Sequence, residues 1–221
     1  MFKKVLVSDD LLSINIGIYT VLEQYKIRNV EAVQYCDDAF LRLKKASQDG
    51  NPFDLLISDL SFKSDHRVQQ FTSGPELITE VRRQFPGLKI IVYTVEDRVQ
   101  KVRMLMQRIG VDGYVCKGRR GLIELSKAID SVYHGESYLS SILEHALQAN
   151  MDLEVDDFDI KLLEMLSKGL SQDQISAHFK TYKIAPNSLS AIEKRINRLR
   201  IQFKANNSVH LVTIAKDLGF I

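Results

Sequence analysis

Short apolar runs and longer amphipathic stretches alternate along the first 133 residues. The runs 4–8 (KVLVS), 30–36 (VEAVQYC), 53–59 (FDLLISD), 88–94 (LKIIVYT) and 113–117 (GYVCK) predict five strands. The stretches 14–25, 37–46, 74–85, 98–109 and 121–135 carry apolar residues at helical spacing. Pro75 fits the first turn of its helix, and Gly135 fits a helix stop. Strict strand–helix alternation predicts an α/β fold, a doubly wound five-stranded parallel sheet with helices on both faces. Residues 136–157 lose this rhythm and turn acidic. From Phe158 onward every apolar pattern is helical, which predicts a small all-α domain. The expected organisation is a domain over 1–133, a linker over 134–152 and a second domain over 153–221.

Composition narrows the class. The 221 residues are 45% hydrophobic and 26% charged, as in ordinary globular chains rather than disordered ones. No apolar stretch is long enough for a bilayer, and the start reads as a strand rather than a signal peptide, so a cytoplasmic protein without membrane contact is expected. Cys36 and Cys116 read as separate buried thiols of a reducing compartment. The five histidines form no zinc-like cluster. A net charge of +2 excludes a globally basic nucleic-acid binder, so any basic surface must be local.

The candidate chemistry lies where strands end, since parallel sheets bind ligands beyond their carboxyl edge. Strand 1 ends in Ser8-Asp9-Asp10, strand 3 in Asp59, strand 4 in Thr94 and strand 5 in Lys117. Three converging carboxylates repel unless a cation joins them, and an all-oxygen set suits Mg²⁺. A nearby ammonium suits a phosphoryl group, so Asp59 is a candidate covalent nucleophile with Thr94 and Lys117 binding the transferred group. Taken singly, each residue is more often structural: Asp9 and Asp10 could cap a helix, and Thr94 is a good strand residue.

The motifs SDD (8–10), LLISDLS (55–61), IIVYT (90–94) and GYVCKG (113–118) resemble the receiver domain of two-component response regulators. The resemblance implies that Asp59 accepts a phosphoryl group from a sensor histidine kinase. It implies Mg²⁺ held by Asp9, Asp10, Asp59 and the backbone carbonyl of Ser61. Thr94 and Lys117 would bind the phosphoryl group, with Tyr114 as the aromatic switch. Phe62-Lys63 stands where the family has Met-Pro, and Gly118 where many members have proline. Gly74 matches the family's glycine after the phosphoacceptor, so the 62–73 loop is several residues longer than usual.

Within the second domain, Lys168 to Lys204 holds eight basic residues against two acidic ones. Ser171 is placed to cap one helix after Gly169 ends the previous one. The helix beginning near Ser188 carries Leu189, Ile192, Ile196 and Leu199 on one side and Lys194, Arg195, Arg198 and Arg200 on others. Small residues at its start, Asn187, Ser188, Ser190 and Ala191, suit base-edge contact, and the lysines and arginines suit phosphates. The segments LLEMLSKGLSQDQIS (162–176), SLSAIEKRINRL (188–199) and VHLVTIA (209–215) resemble the LuxR-type helix-turn-helix of the NarL/FixJ group. Phe158-Asp159 replaces that group's usual Arg-Glu. The turn between Phe179 and Ile184, KTYK, runs about three residues longer than that group's, and Lys180 and Lys183 in it could touch phosphates.

The expected function is a DNA-binding response regulator, not an enzyme, that forms a homodimer when Asp59 is phosphorylated. One alternative is a regulator that binds DNA without phosphorylation, its receiver serving protein contacts. A phosphatase-like hydrolase is the other; its acid/base aspartate would stand where the chain has Ser61.

Overall fold

Leu55–Ser58 is buried along its whole length, as a strand covered on both faces must be. That apolar run forms β3 in the computed structural model of the chain, which describes residues 1–62, 69–144, 155–218 and 220–221. Beside it lie β1 (Lys4–Ser8), β2 (Asn29–Val33), β4 (Lys89–Thr94), β5 (Gly113–Cys116) and a two-residue β6 (Tyr138–Leu139). All neighbours are parallel, in the order β2-β1-β3-β4-β5-β6. The sheet therefore has six strands where five were expected. The sixth comes from the 134–152 stretch read as linker, and two residues are too few to register as an apolar run.

Side-chain alternation along the strands builds two cores. Val5, Val7, Leu55, Ile57, Ile91 and Val115 face α1 (Leu12–Gln24) and α5 (Gly121–Tyr133). The alternate residues Leu6, Leu56, Ile90 and Val92, also fully buried, face the other way. There α2 (Cys36–Gln48) and α3 (Gly74–Gln84) pack against each other. Pro75 occupies the first turn of α3, as its missing N–H allows.

Two boundaries differ from expectation. Cys36 opens α2 rather than closing β2, and its thiol is buried; Cys116 is only half-buried. The helix expected over 98–109 begins as α4 (Val99–Arg103) and widens into a π-helix over Met104–Ile109. Gly110 ends it in the left-handed region at φ 77°.

The chain divides into two compact units, the first built from residues 1–97 and 101–144 and the second from residue 155 onward. Each is described by itself. The second unit holds α6 (Asp157–Ser167), α7 (Gln172–Thr181), α8 (Leu189–Gln202) and α9 (Ser208–Asp217). Asp156 with Asp159, and Ser171 with Gln174, form reciprocal capping boxes on α6 and α7. Leu162, Leu163, Ile175, Phe179, Ile192, Ile196, Leu199 and Leu211 make its core. Among the described residues no helix is long and apolar enough to cross a membrane.

Candidate functional site

Parallel register brings the ends of β1, β3, β4 and β5 to one edge of the sheet, and the predicted residues meet there. One oxygen from each of Asp9, Asp10 and Asp59 lies within 4.8 Å of the others. The Lys117 ammonium donates to Asp9 Oδ2 and to Asp59 Oδ2, each at 2.6 Å. All three of these side chains are nearly sealed from solvent, at 8% exposure or less. Buried charges survive only when paired, so the ammonium is the site's internal counter-ion. Burial still pushes the Asp9 carboxyl above its ordinary range, opposed by Lys117 and the Leu11 amide.

Backbone fixes the rest. The second Asp59 oxygen accepts from the amides of Leu60 (2.6 Å) and Ser61 (3.3 Å). The Lys117 amide donates to the Thr94 carbonyl at 2.6 Å, which locks the end of β5 to the end of β4. Thr94 is buried, and its hydroxyl accepts from the Glu96 amide at 3.3 Å. Tyr114 is fully buried; its hydroxyl donates to the Glu96 carbonyl at 2.8 Å. Burial raises that phenol further, so it stays protonated. Ser61 lines one open cleft together with Asp10, Asp59, Phe62 and Lys117.

Gly74 is where the chain after Asp59 returns. A Cβ there would lie 2.4 Å from the Asp59 carbonyl oxygen and 2.5 Å from Leu60 Cα, so only glycine fits. The end of the long loop is anchored on α2. Asp37 accepts the amides of Gln70 and Phe71, both at 2.9 Å, and Phe71 packs on Phe40. Residues 63–68 of that loop lie outside the described residues. Sequence reasoning missed Asn15, whose buried side chain donates to the Asp9 carbonyl at 3.2 Å. A polar residue inside the apolar side of α1 was its only signal.

In the second unit, α7 and α8 carry the predicted nucleic-acid surface. Lys180, Lys183, Ser188, Ser190 and Lys194 are exposed; Asn187 and Ala191 are half-buried. Ser188 caps α8 through the Ala191 amide at 3.2 Å. Arg195 and Arg198 are turned inward to a fully buried Asp159, at 2.5 Å and 2.9 Å, and Arg195 also pairs with Asp156. The Arg195 charge is thus largely spent inside the unit, while the Arg198 side chain keeps a solvent-facing part. The outward stripe of α8 is instead Ser190, Glu193, Lys194 and Asn197, all exposed at i, i+3, i+4 and i+7. Glu193 and Asn197 were not among the predicted contacts, because an acid and an amide do not stand out in a basic helix.

Comparison with known proteins agrees with this geometry. The family model "Response regulator receiver domain" matches residues 5–130. Comparison with curated proteins gives no match. The RcsB response regulator of Salmonella typhimurium superposes with a TM-score of 0.69 at 21% identity, covering 97% of this chain and 99% of that one. A two-component response regulator RcsB–DNA complex gives 0.67 at 21% identity, covering 97% and 98%. The isolated receiver domain of RcsB from Salmonella enterica serovar Typhimurium, solved with the phosphomimetic BeF3⁻, gives 0.55 at 26% identity, covering 66% of this chain and 98% of that one. With its family model spanning more than half of the chain and its three acids gathered at the sheet edge, the chain belongs to the response regulator receiver family.

Proposed function

We propose that Asp59 accepts a phosphoryl group from the phosphohistidine of a sensor kinase, and that the second unit binds DNA in response. The observation that carries the reading is the Lys117 ammonium resting on both Asp9 and Asp59 at one buried strand edge. An Asp59 oxygen would form the new P–O bond as the donor's P–N bond breaks, and the imidazole leaves protonated. Lys117 would then bind a phosphoryl oxygen, and the Thr94 hydroxyl would donate to another.

The donor set fits Mg²⁺: three carboxylates within reach of one another, oxygen only. Asp9, Asp10, Asp59 and the Ser61 carbonyl would hold it. When bound, it neutralises charge on the carboxylates and the phosphoryl oxygens. Exposed Leu11, Leu12, Ile16 and Val95 offer apolar contact for the kinase around the site.

Turning the Thr94 hydroxyl toward the phosphoryl group would shift the Glu96 segment, whose amide donates to that hydroxyl and whose carbonyl holds Tyr114. That is a local route from Asp59 to a conformational equilibrium. In the second unit, Ser190, Glu193 and Asn197 would face base edges, and Lys180, Lys183 and Lys194 phosphates. The DNA-bound RcsB structure has the same fold at low identity, and supports DNA as the partner. Two copies would bind as a homodimer when phosphorylated.

Incubation with acetyl phosphate and Mg²⁺ tests this directly. Intact-mass spectrometry should show one added phosphoryl group, absent in Asp59→Ala and absent with EDTA. Selection of DNA sites from random sequence should give tighter binding with phosphodonor than without. An unlabelled wild-type chain that selects the same sites equally well under both conditions would establish instead the phosphorylation-independent regulator.

A further inference from the structure

We propose that Ser140, in the segment after α5, is a positioning residue for Lys117. The inference rests on the reading of Lys117 as the site's phosphoryl-binding ammonium. Ser140 is completely buried although it follows a two-residue edge strand. Its amide donates to the Tyr114 carbonyl at 2.9 Å, and its hydroxyl oxygen accepts from the Cys116 amide at 3.0 Å. One residue thus ties down two groups on the outer edge of β5, those of Tyr114 and Cys116. Cys116 immediately precedes Lys117.

The hydroxyl proton of Ser140 goes to Glu124 on α5, whose other oxygen accepts from Ser141 at 2.8 Å. Burial alone would raise the Glu124 carboxyl, but the two hydroxyls and the Ser141 amide hold it below its ordinary range. The carboxylate stays charged and keeps the Ser140 hydroxyl pointing one way, with its lone pair toward Cys116. On the inner side, the Lys117 amide is bonded to Thr94. The end of β5 is therefore gripped from both edges, and the Lys117 side chain departs from a strand that cannot shift outward. Without the Ser140 hydroxyl, the Cys116 amide loses its outer partner, and the residue before Lys117 is released on that side.

The test is the reactivity of the Lys117 amine toward an acylating reagent, read by peptide mass spectrometry on the full chain without phosphodonor. Lys89, held by Asp112 at 2.7 Å, is the internal control. In Ser140→Ala, Lys117 should acylate about tenfold faster, the loss expected from one hydrogen bond, with Lys89 unchanged. Ser140→Thr keeps the hydroxyl and should restore the wild-type rate. Glu124→Ala, at a half-buried position, should shift Lys117 in the same direction should the alanine variant at 140 not fold. The rate of labelling by acetyl phosphate should fall in parallel. Unchanged Lys117 reactivity, or equal acceleration of Lys117 and Lys89, would overturn the proposal and leave Ser140 as a stability residue. Failure of the wild-type chain to label at Asp59 would overturn the proposed function, while the acylation result would still decide the role of Ser140.

Discussion

Replacing Lys117 by methionine keeps an unbranched side chain, one atom shorter, and removes its charge. Asp9 and Asp59 then face each other at 2% and 5% side-chain exposure with no cation between them. Opposite charges about 4 Å apart attract by about 4 kcal/mol at an effective dielectric of 20, and desolvation offsets part of that. Stripping one member from a buried pair costs about 3–5 kcal/mol, because the remaining charge is stranded. In a unit of this size 1 kcal/mol corresponds to about 3 °C, so the variant should melt roughly 10 °C lower in EDTA. Mg²⁺ at a hundred times its dissociation constant should return about 2.7 kcal/mol. At the same Mg²⁺ concentration the wild-type chain should gain less, since its own ammonium already neutralises the two acids and weakens its hold on the ion. Urea midpoints measured in EDTA and at stepped Mg²⁺ read both quantities. A variant that melts with the wild type, or whose midpoint ignores Mg²⁺, would refute the idea that these acids share one cation.

Gly74→Ala should cost about 1–3 kcal/mol and slow Asp59 labelling, because both clashing neighbours are backbone and cannot turn aside; a melting curve and a labelling time course check it. Asp112 is pulled up by burial but held below its ordinary range by Lys89, the Ile90 amide and Arg82. Its contribution is therefore present above about pH 4, the unfolded value, and is lost as pH falls below it. Asp112→Asn should cost about 2 kcal/mol at pH 7, with the gap from wild type closing in urea titrations below about pH 4. Lys194→Ala should lower DNA affinity and reduce the salt slope by about 1 without moving the melting temperature. Arg195→Ala should lower the melting temperature of the second unit, because it leaves the buried Asp159 with Arg198 as its one remaining arginine; equal thermal effects of the two changes would contradict that division.

The central strands were legible because burial on both faces leaves little but apolar residues, as in Leu55, Leu56 and Ile57. The acidic site was legible for a related reason. Each of its side chains stands at or just past the end of such a run, and parallel register does the gathering. Features built from pairings remote in sequence were not. The bonds from Ser140 to Cys116 and Glu124 leave no periodic trace, so β6 was read as linker. The ion pairs from Arg195 to Asp156 and Asp159 span 39 and 36 positions, and a helical wheel of α8 shows only an arginine on a flank. Widening of the helix over Met104–Ile109 to a π pattern changes no apolar spacing that a reader could count.

The two open margins of the sheet bear on how the protein behaves when crowded. An unpaired strand edge is a template on which another chain can polymerise. One margin here is β6, only two residues long and too short to seat an incoming strand. The other is β2, where Glu31 holds ion pairs with Lys4 and Arg42 and sets charge beside the free backbone groups. Growth of ordered aggregates from the folded receiver is thereby discouraged at both ends, so that self-association is left to surfaces other than the sheet.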